Sequence, residues 1–434
     1  MSEKLALLGG TPINQAPIPS YNTIGAEEKA AVMEVLDSGE LSGFVAAPGD
    51  WFLGGKKVRS LENAFCEHFD VKHAIALNSA TSGLHAGLMA MDIGPGDEVI
   101  VSPYTMHASA TMIVMCGAVP VFADIEPCTF CIDPASVEAL ITPRTRGIVA
   151  VNIFGHPAAL GPLKAICDRH GLFLIEDNAQ APDATYKGQK TATIGDCGVF
   201  SFNRHKTMQC GEGGMIITDD DRIAKKARFF RNHGETVVEA LGEEDLVNTL
   251  GVNYRMGEME AAVAEVQFSK LPELNRARQA LSDRLTEQLS KIPGITPPSV
   301  MEECTHVYYF YVMKYDANAV GIPRDLFVRA FQAEGFPLRA GYLKPLYLEP
   351  MYQKRIAIGR HGFPWSAHPG SDNISYEPGI CPVVERLQNE EVMLTNYMYP
   401  PLSENDMDRY VETFHKVLDN RGELLALARN EAAE

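Results

Sequence analysis

The chain predicts an α/β fold: a mostly parallel sheet covered by helices, followed by a smaller α+β domain. Three observations lead there. Short apolar runs alternate with helical segments between residues 73 and 202, the pattern of a parallel sheet covered on both faces. From about residue 257 the pattern turns helical and then mixed. The length, 434 residues, suits two domains at about 100–200 residues each.

Residues 1–22, rich in Pro, Gly and polar residues, predict an extended N-terminal arm. A helix follows through Val32, Val35 and Leu36. Residues 42–57, with five glycine or proline positions, read as a loop. A second helix carries Val58, Leu61, Phe65 and Phe69. The predicted strands are 73–77, 98–101, 119–123, 147–152, 172–176 and 198–202, with helices at 84–91, 134–140 and 163–170. A long helical pattern runs from Met259 to Leu289. A Tyr- and Phe-rich strand at 307–312, a helix at 325–334, an irregular Pro-rich stretch at 337–382 and a last helix at 404–418 complete the chain. The expected division is an arm (1–22), a large domain (23–270) and a small domain (271–434).

The 56 acidic residues outnumber the 38 basic ones, giving a formal charge of −18. That disfavours nucleic acid or an anionic membrane as partner, since both require a basic face. No stretch reaches the ~18 apolar residues of a membrane span, and the first ten residues lack the basic leader of a signal peptide. Nine scattered cysteines fit reduced thiols in a cytoplasmic protein. Cys128 and Cys131 form one CxxC without a second pair, so no metal site is expected.

Four motifs fall near the carboxyl ends of predicted strands, where open α/β sheets bind ligands. Asn78-Ser79-Ala80-Thr81-Ser82-Gly83 joins a strand to a helix. Its small residues and the free N–H groups at a helix start suit a phosphate, although Ser and Thr also serve as ordinary caps. Glu176-Asp177-Asn178-Ala179-Gln180 follows a hydrophobic strand. A buried acid there requires a partner, and a cationic ring nitrogen is one. Ser201-Phe202-Asn203-Arg204-His205-Lys206 precedes the glycine-rich Gly211–Gly214. A partly desolvated Lys206 loses its proton and becomes a nucleophile. Asn253 and Arg255, before the long helix, can meet a phosphate, face a partner chain, or simply begin that helix.

Together, in this order, the motifs resemble the DegT/DnrJ/EryC1/StrS family of sugar aminotransferases, which use pyridoxal 5'-phosphate (PLP). Leu61-Glu62, Gly94-Pro95-Gly96-Asp97-Glu98-Val99-Ile100, Glu176-Asp177 to Gln180, Ser201-Phe202 with Lys206, Gly211–Gly214 and Asn253 carry the likeness, which fades in the last third. It implies the aspartate-aminotransferase (fold type I) architecture. Lys206 looks like the lysine that forms the internal aldimine and moves the proton. Asp177 looks like the acid that keeps the pyridine nitrogen protonated. Gln180 resembles the residue beside the ring, and Ala80, Thr81 and Ser201 resemble phosphate ligands. Asn253 resembles an asparagine reaching the neighbouring subunit's site, which implies a homodimer with shared sites.

The resemblance further implies transfer of an amino group from glutamate or glutamine to a keto-sugar or keto-cyclitol, by way of pyridoxamine phosphate. Two departures stand out. Tyr104-Thr105 is followed by Met106 and His107 where the family has an aromatic residue, so either side chain can cover the ring. Pro182-Asp183 replaces a His-Gly pair. The alternatives are a sugar 3-dehydratase, which carries histidine in place of the lysine, and a non-catalytic PLP-binding regulatory protein. The retained Lys206 and the acidic chain favour transamination.

Overall fold

The computed structural model describes residues 3–431. The strands are β1 (His73–Leu77), β2 (Glu98–Val101), β3 (Val119–Phe122), β4 (Thr145–Val151), β5 (Phe173–Asp177), the hairpin pair β6 (Thr185–Tyr186) and β7 (Gln189–Lys190), β8 (Cys197–Ser201) and β9 (Gly214–Thr218). All but the hairpin form one sheet in the order β1-β9-β8-β5-β4-β2-β3. Pairing is parallel from β3 through β8, and β9 runs antiparallel to both β8 and β1.

These strands are apolar throughout because both sheet faces are covered. Alternate residues enter different cores. Ile75, Leu77, Val199 and Ile216 face one; Ala74, Ala76, Phe200, Met215 and Ile217 face the other. The eight helices of this half are α1 (Ala26–Ser38), α2 (Lys56–Phe69), α3 (Ala80–Ala90), α4 (Ala108–Met115), α5 (Pro134–Ala139), α6 (Leu160–His170), α7 (Asp221–Arg231) and α8 (Glu258–Leu289). Helix α3 is buried on nearly every side. Its Gly83 permits this, since a β-carbon there would stand 2.8 Å from Val199.

A second, antiparallel sheet has the order β10-β11-β13-β12, from Ile295–Thr296, Tyr311–Tyr315, Val392–Thr395 and Arg339–Ala340. Helices Arg324–Ala333 and Glu404–Asp419 complete its core through Phe327, Phe331, Tyr410 and Phe414. None of the described helices is long and apolar enough to cross a membrane.

Three features bear on the expected division. The boundary at residue 270 falls inside α8, whose continuous helix links the two cores. Residues 346–387 lie beyond that boundary in sequence, yet Tyr347, Tyr352, Trp365, Tyr376 and Leu387 are buried in the core of the first sheet. The arm is docked on the second core. Leu5 is buried in the second core, and the carboxylate of Glu334 accepts hydrogen bonds from Ala6 N–H, Ile13 N–H and Lys416 Nζ, each at 2.8–3.0 Å.

Candidate active site

The carboxyl ends of β1, β4, β5 and β8 open on one cleft of about 190 Å³. Ser79, Ala80, Thr81, Met106, Asp177, Gln180, Ser201 and Lys206 all line it. Seven of the eight expected cofactor-binding positions therefore come together, joined by Ser79. Asn253 does not line the cleft. It is exposed and bridges to Asn232 on the near side of α8.

Each residue is placed by its element. Ser79 caps α3, its hydroxyl accepting from Ser82 N–H at 3.0 Å. The first turn of α3 thus points unpaired N–H groups and positive potential into the cleft. A β-carbon at Gly214, the start of β9, would sit 2.4–2.5 Å from Ser79 and Ala80 main-chain atoms. Glycine alone lets that strand support the helix start.

Glu176 and Asp177 are adjacent and point to opposite faces of the sheet. Glu176 is saturated: it accepts from Ala192, Ile194 and Gly195 N–H at 2.7–2.8 Å. Asp177 accepts a 2.7 Å bond from Ser109 Oγ and a longer one from Ala179 N–H. Burial pushes its carboxyl above the ordinary aspartate value, against the pull of Ser109, Ala179 and the Lys206 ammonium. Among the described residues no cation stands within ion-pair distance of it.

Lys206 lies in the loop between β8 and β9. Backbone bonds from Phe202 to Gly213 and from Arg204 to Gly211 close that loop. Burial lowers its pKa to about 8, and Asp177 resists the fall. Its Nζ stands 4.6 Å from the centre of the Tyr309 ring. His205 also lines the cleft and is likewise held below its ordinary value, by burial and by Lys206 and Arg204. Gln180 is fixed from both ends: Oε1 accepts from Phe154 N–H at 2.8 Å, and Nε2 donates to Tyr342 Oη at 3.3 Å.

Met106 borders the cleft and is 56% exposed, whereas His107 turns to Glu349, 3.9 Å away. Ser109, Asn203, Glu212, Tyr309 and Tyr342 were not among the residues expected from sequence. Ser109 lies in α4, a helix absent from the sequence prediction. Tyr309 and Tyr342 arrive from beyond the large sheet and had no local signal.

This fold and cleft define a class, the α/β enzymes that carry a buried acid and a desolvated lysine at adjacent strand ends. The model of the DegT/DnrJ/EryC1/StrS aminotransferase family matches residues 23–413. The chain belongs to that family and is a PLP-dependent aminotransferase. It is 32% identical over 405 residues to the spore coat polysaccharide biosynthesis protein SpsC of Bacillus subtilis, covering 92% of this chain and 96% of that one. It is 36% identical over 330 residues to GDP-perosamine synthase of Caulobacter vibrioides, covering 76% and 85%. The structure of DesI in the presence of its TDP-sugar product superposes with a TM-score of 0.80 at 29% identity, covering 98% and 99%. These likenesses agree with the expected family and with the expected fold class.

Proposed function

We propose that this aminotransferase moves an amino group from glutamate or glutamine to the keto group of a nucleotide-linked sugar, with Lys206 as the reacting amine. The observation that carries this is the cleft itself: Lys206, with its pKa lowered to about 8, shares it with a buried, cation-lacking Asp177. The residues fit PLP. A protonated ring nitrogen is the partner that the Asp177 carboxylate lacks, and the α3 start with Ser201 offers donors to a phosphate.

PLP, when bound, supplies an electrophilic carbonyl and an electron-withdrawing ring. The chain's residues do the rest. The neutral Lys206 amine is the nucleophile toward that carbonyl and the base that takes and returns the substrate's Cα proton. Asp177 would hold the ring nitrogen protonated, and Ser109, bonded to it at 2.7 Å, orients Asp177. Ala80, Thr81 and Ser201 would hold the phosphate. Gln180 and Met106, both in the cleft lining, would flank the ring, Met106 through sulfur contact.

A homodimer completes the site. Asn253 is exposed and outside its own cleft, which suits a residue serving the partner's phosphate. Leu241, Leu246, Val247, Leu250 and Trp51 are each more than half exposed in the neighbouring loops, and apolar surface of this kind marks an interface. The nine free cysteines support a reducing, cytoplasmic setting. The sugar acceptor is favoured over a cyclitol by the two relatives whose names carry a sugar nucleotide.

The test is borohydride reduction of the PLP-loaded protein, peptide mapping, and an activity screen with GDP- and TDP-linked keto-sugars beside inosose. Cofactor fixed on Lys206 and turnover of a nucleotide keto-sugar are expected. Attachment at another lysine, or turnover of inosose alone, overturns the corresponding part.

A further inference from the structure

A second and larger cavity, about 430 Å³, lies along the β3 edge of the large sheet, reaching from the start of β2 to Val121 and Phe122. Its walls come from the start of β2, the end of β3, α5 and the residues after it, and the segment 370–380. At its inner end is the carboxylate of Glu98, 2% exposed. One oxygen accepts a 2.5 Å bond from Thr142 Oγ1, and the other faces His368 Nε2 at 3.4 Å. Each carboxylate oxygen has a further lone pair to offer.

Arg144 lines the same cavity. Its main-chain carbonyl accepts from Glu98 N–H at 2.9 Å, so the two residues are neighbours across β2 and β4. Yet their side chains form no ion pair, and among the described residues the Arg144 guanidinium has no carboxylate partner. It lies against Gly370, where a β-carbon would come within 3.1 Å of Nη1. His368 Nδ1 accepts from Gly370 N–H, which fixes that glycine beneath the guanidinium. The hydroxyls of Ser136 and Ser375, also in the lining, accept backbone N–H bonds and retain their own protons for a ligand. Leu140, Ile141 and Ile374 supply an apolar part of the lining.

Glu98, held by Thr142 and His368, and Arg144 line one cavity without pairing with each other, beside an apolar wall, and together they match a zwitterion. We infer that this cavity binds a free α-amino acid with an apolar side chain. Its ammonium is held by Glu98, its carboxylate by Arg144 and the serine hydroxyls, and its side chain lies on the Leu140–Ile141 wall. The site is separate from the one where the amino donor reacts. It touches the foot of β2, the strand whose other end leads through Tyr104 and Thr105 to Met106.

The test is calorimetric titration of the PLP-loaded protein with L-leucine, L-isoleucine, L-valine and L-phenylalanine, followed by leucinamide and N-acetylleucine. One amino acid per chain should bind. Arg144→Ala and Glu98→Gln should each weaken it about tenfold or more, the scale of a lost charge-assisted bond. Leucinamide, lacking the carboxylate, and N-acetylleucine, lacking the ammonium, should lose as much on the unaltered protein. The two analogues keep the test decisive even if Glu98→Gln fails to fold. Absence of binding by all four amino acids overturns the inference. So does binding that is equally strong in Arg144→Ala or equally strong for leucinamide.

Discussion

The hydroxyl of Tyr21 donates a 2.5 Å hydrogen bond to the main-chain carbonyl of Thr207, the residue that follows Lys206. The N-terminal arm thereby reaches the loop that carries Lys206. Tyr21 is itself held at 4.8 Å from the Arg278 guanidinium and edge-on to Tyr399. Tyr21→Phe removes one donor and little volume. Stability should fall by only about 0.5–1.5 kcal/mol, while kcat falls several-fold with KM little changed. A kcat equal to the parent's would make the bond purely structural.

The acid–base state of Lys206 is a second prediction. Burial lowers its pKa to about 8, and the Asp177 charge works in the opposite direction. In cofactor-free protein, amine labelling of Lys206 should therefore rise through a midpoint near pH 8. Asp177→Asn removes the charge that favours the ammonium, so the midpoint should move lower. The same variant, loaded with PLP, should retain the cofactor and lose about 100-fold or more in turnover. A midpoint that moves up, or near-normal turnover, contradicts the roles assigned to this pair.

Asn253 tests the composite site. A Lys206→Ala chain and an Asn253→Ala chain, each crippled alone, are mixed under conditions of subunit exchange. A mixed dimer can gather both defects in one site and leave the other whole, so part of the activity should return. No recovery would mean that Asn253 serves its own chain.

Glu334 is fully buried and binds two arm N–H groups as well as the Lys416 ammonium. Glu334→Ala leaves that ammonium without its carboxylate. The loss should be about 3–5 kcal/mol in urea unfolding, and the arm should become the first site of proteolysis. An arm as protease-resistant as the parent's would show that Leu5 and its neighbours hold it unaided.

Gly214→Ala places a methyl group against the main chain of Ser79 and Ala80. Backbone cannot rotate away, so the start of α3 must shift. PLP affinity should drop more than tenfold on the scale of displaced phosphate donors. Unchanged affinity would place the phosphate elsewhere.

Much of the large sheet was legible because its strands are short apolar runs bounded by turns. Strand β9 was not: Met215, Ile216 and Ile217 follow a glycine-rich loop and read as its continuation. Helix α4 was equally silent. Its Ala-Ser-Ala-Thr-Met-Ile-Val-Met sequence has no polar face, since the helix is packed close to the sheet and the strap 346–387. With α4 unseen, Ser109 was unseen too. Trp365 and Tyr376 are buried on a distant core, and nothing local in the sequence says which core receives them. Lys206, Asp177 and the 79–81 turn were legible because each lies in a short contiguous motif.

The reversal of β9 has its own result. Parallel strands β4 and β5 hand on to long crossovers, so residues after them hang from one attachment. Lys206 instead occupies a loop whose two stems, β8 and β9, are hydrogen-bonded to each other. An insertion on either side of Lys206 would therefore be felt at once by both stems. Lengthening this loop should displace the amine far more than an equal insertion after β4 would disturb that strand's end, so the tolerance of the cleft to added residues is unequal around its rim.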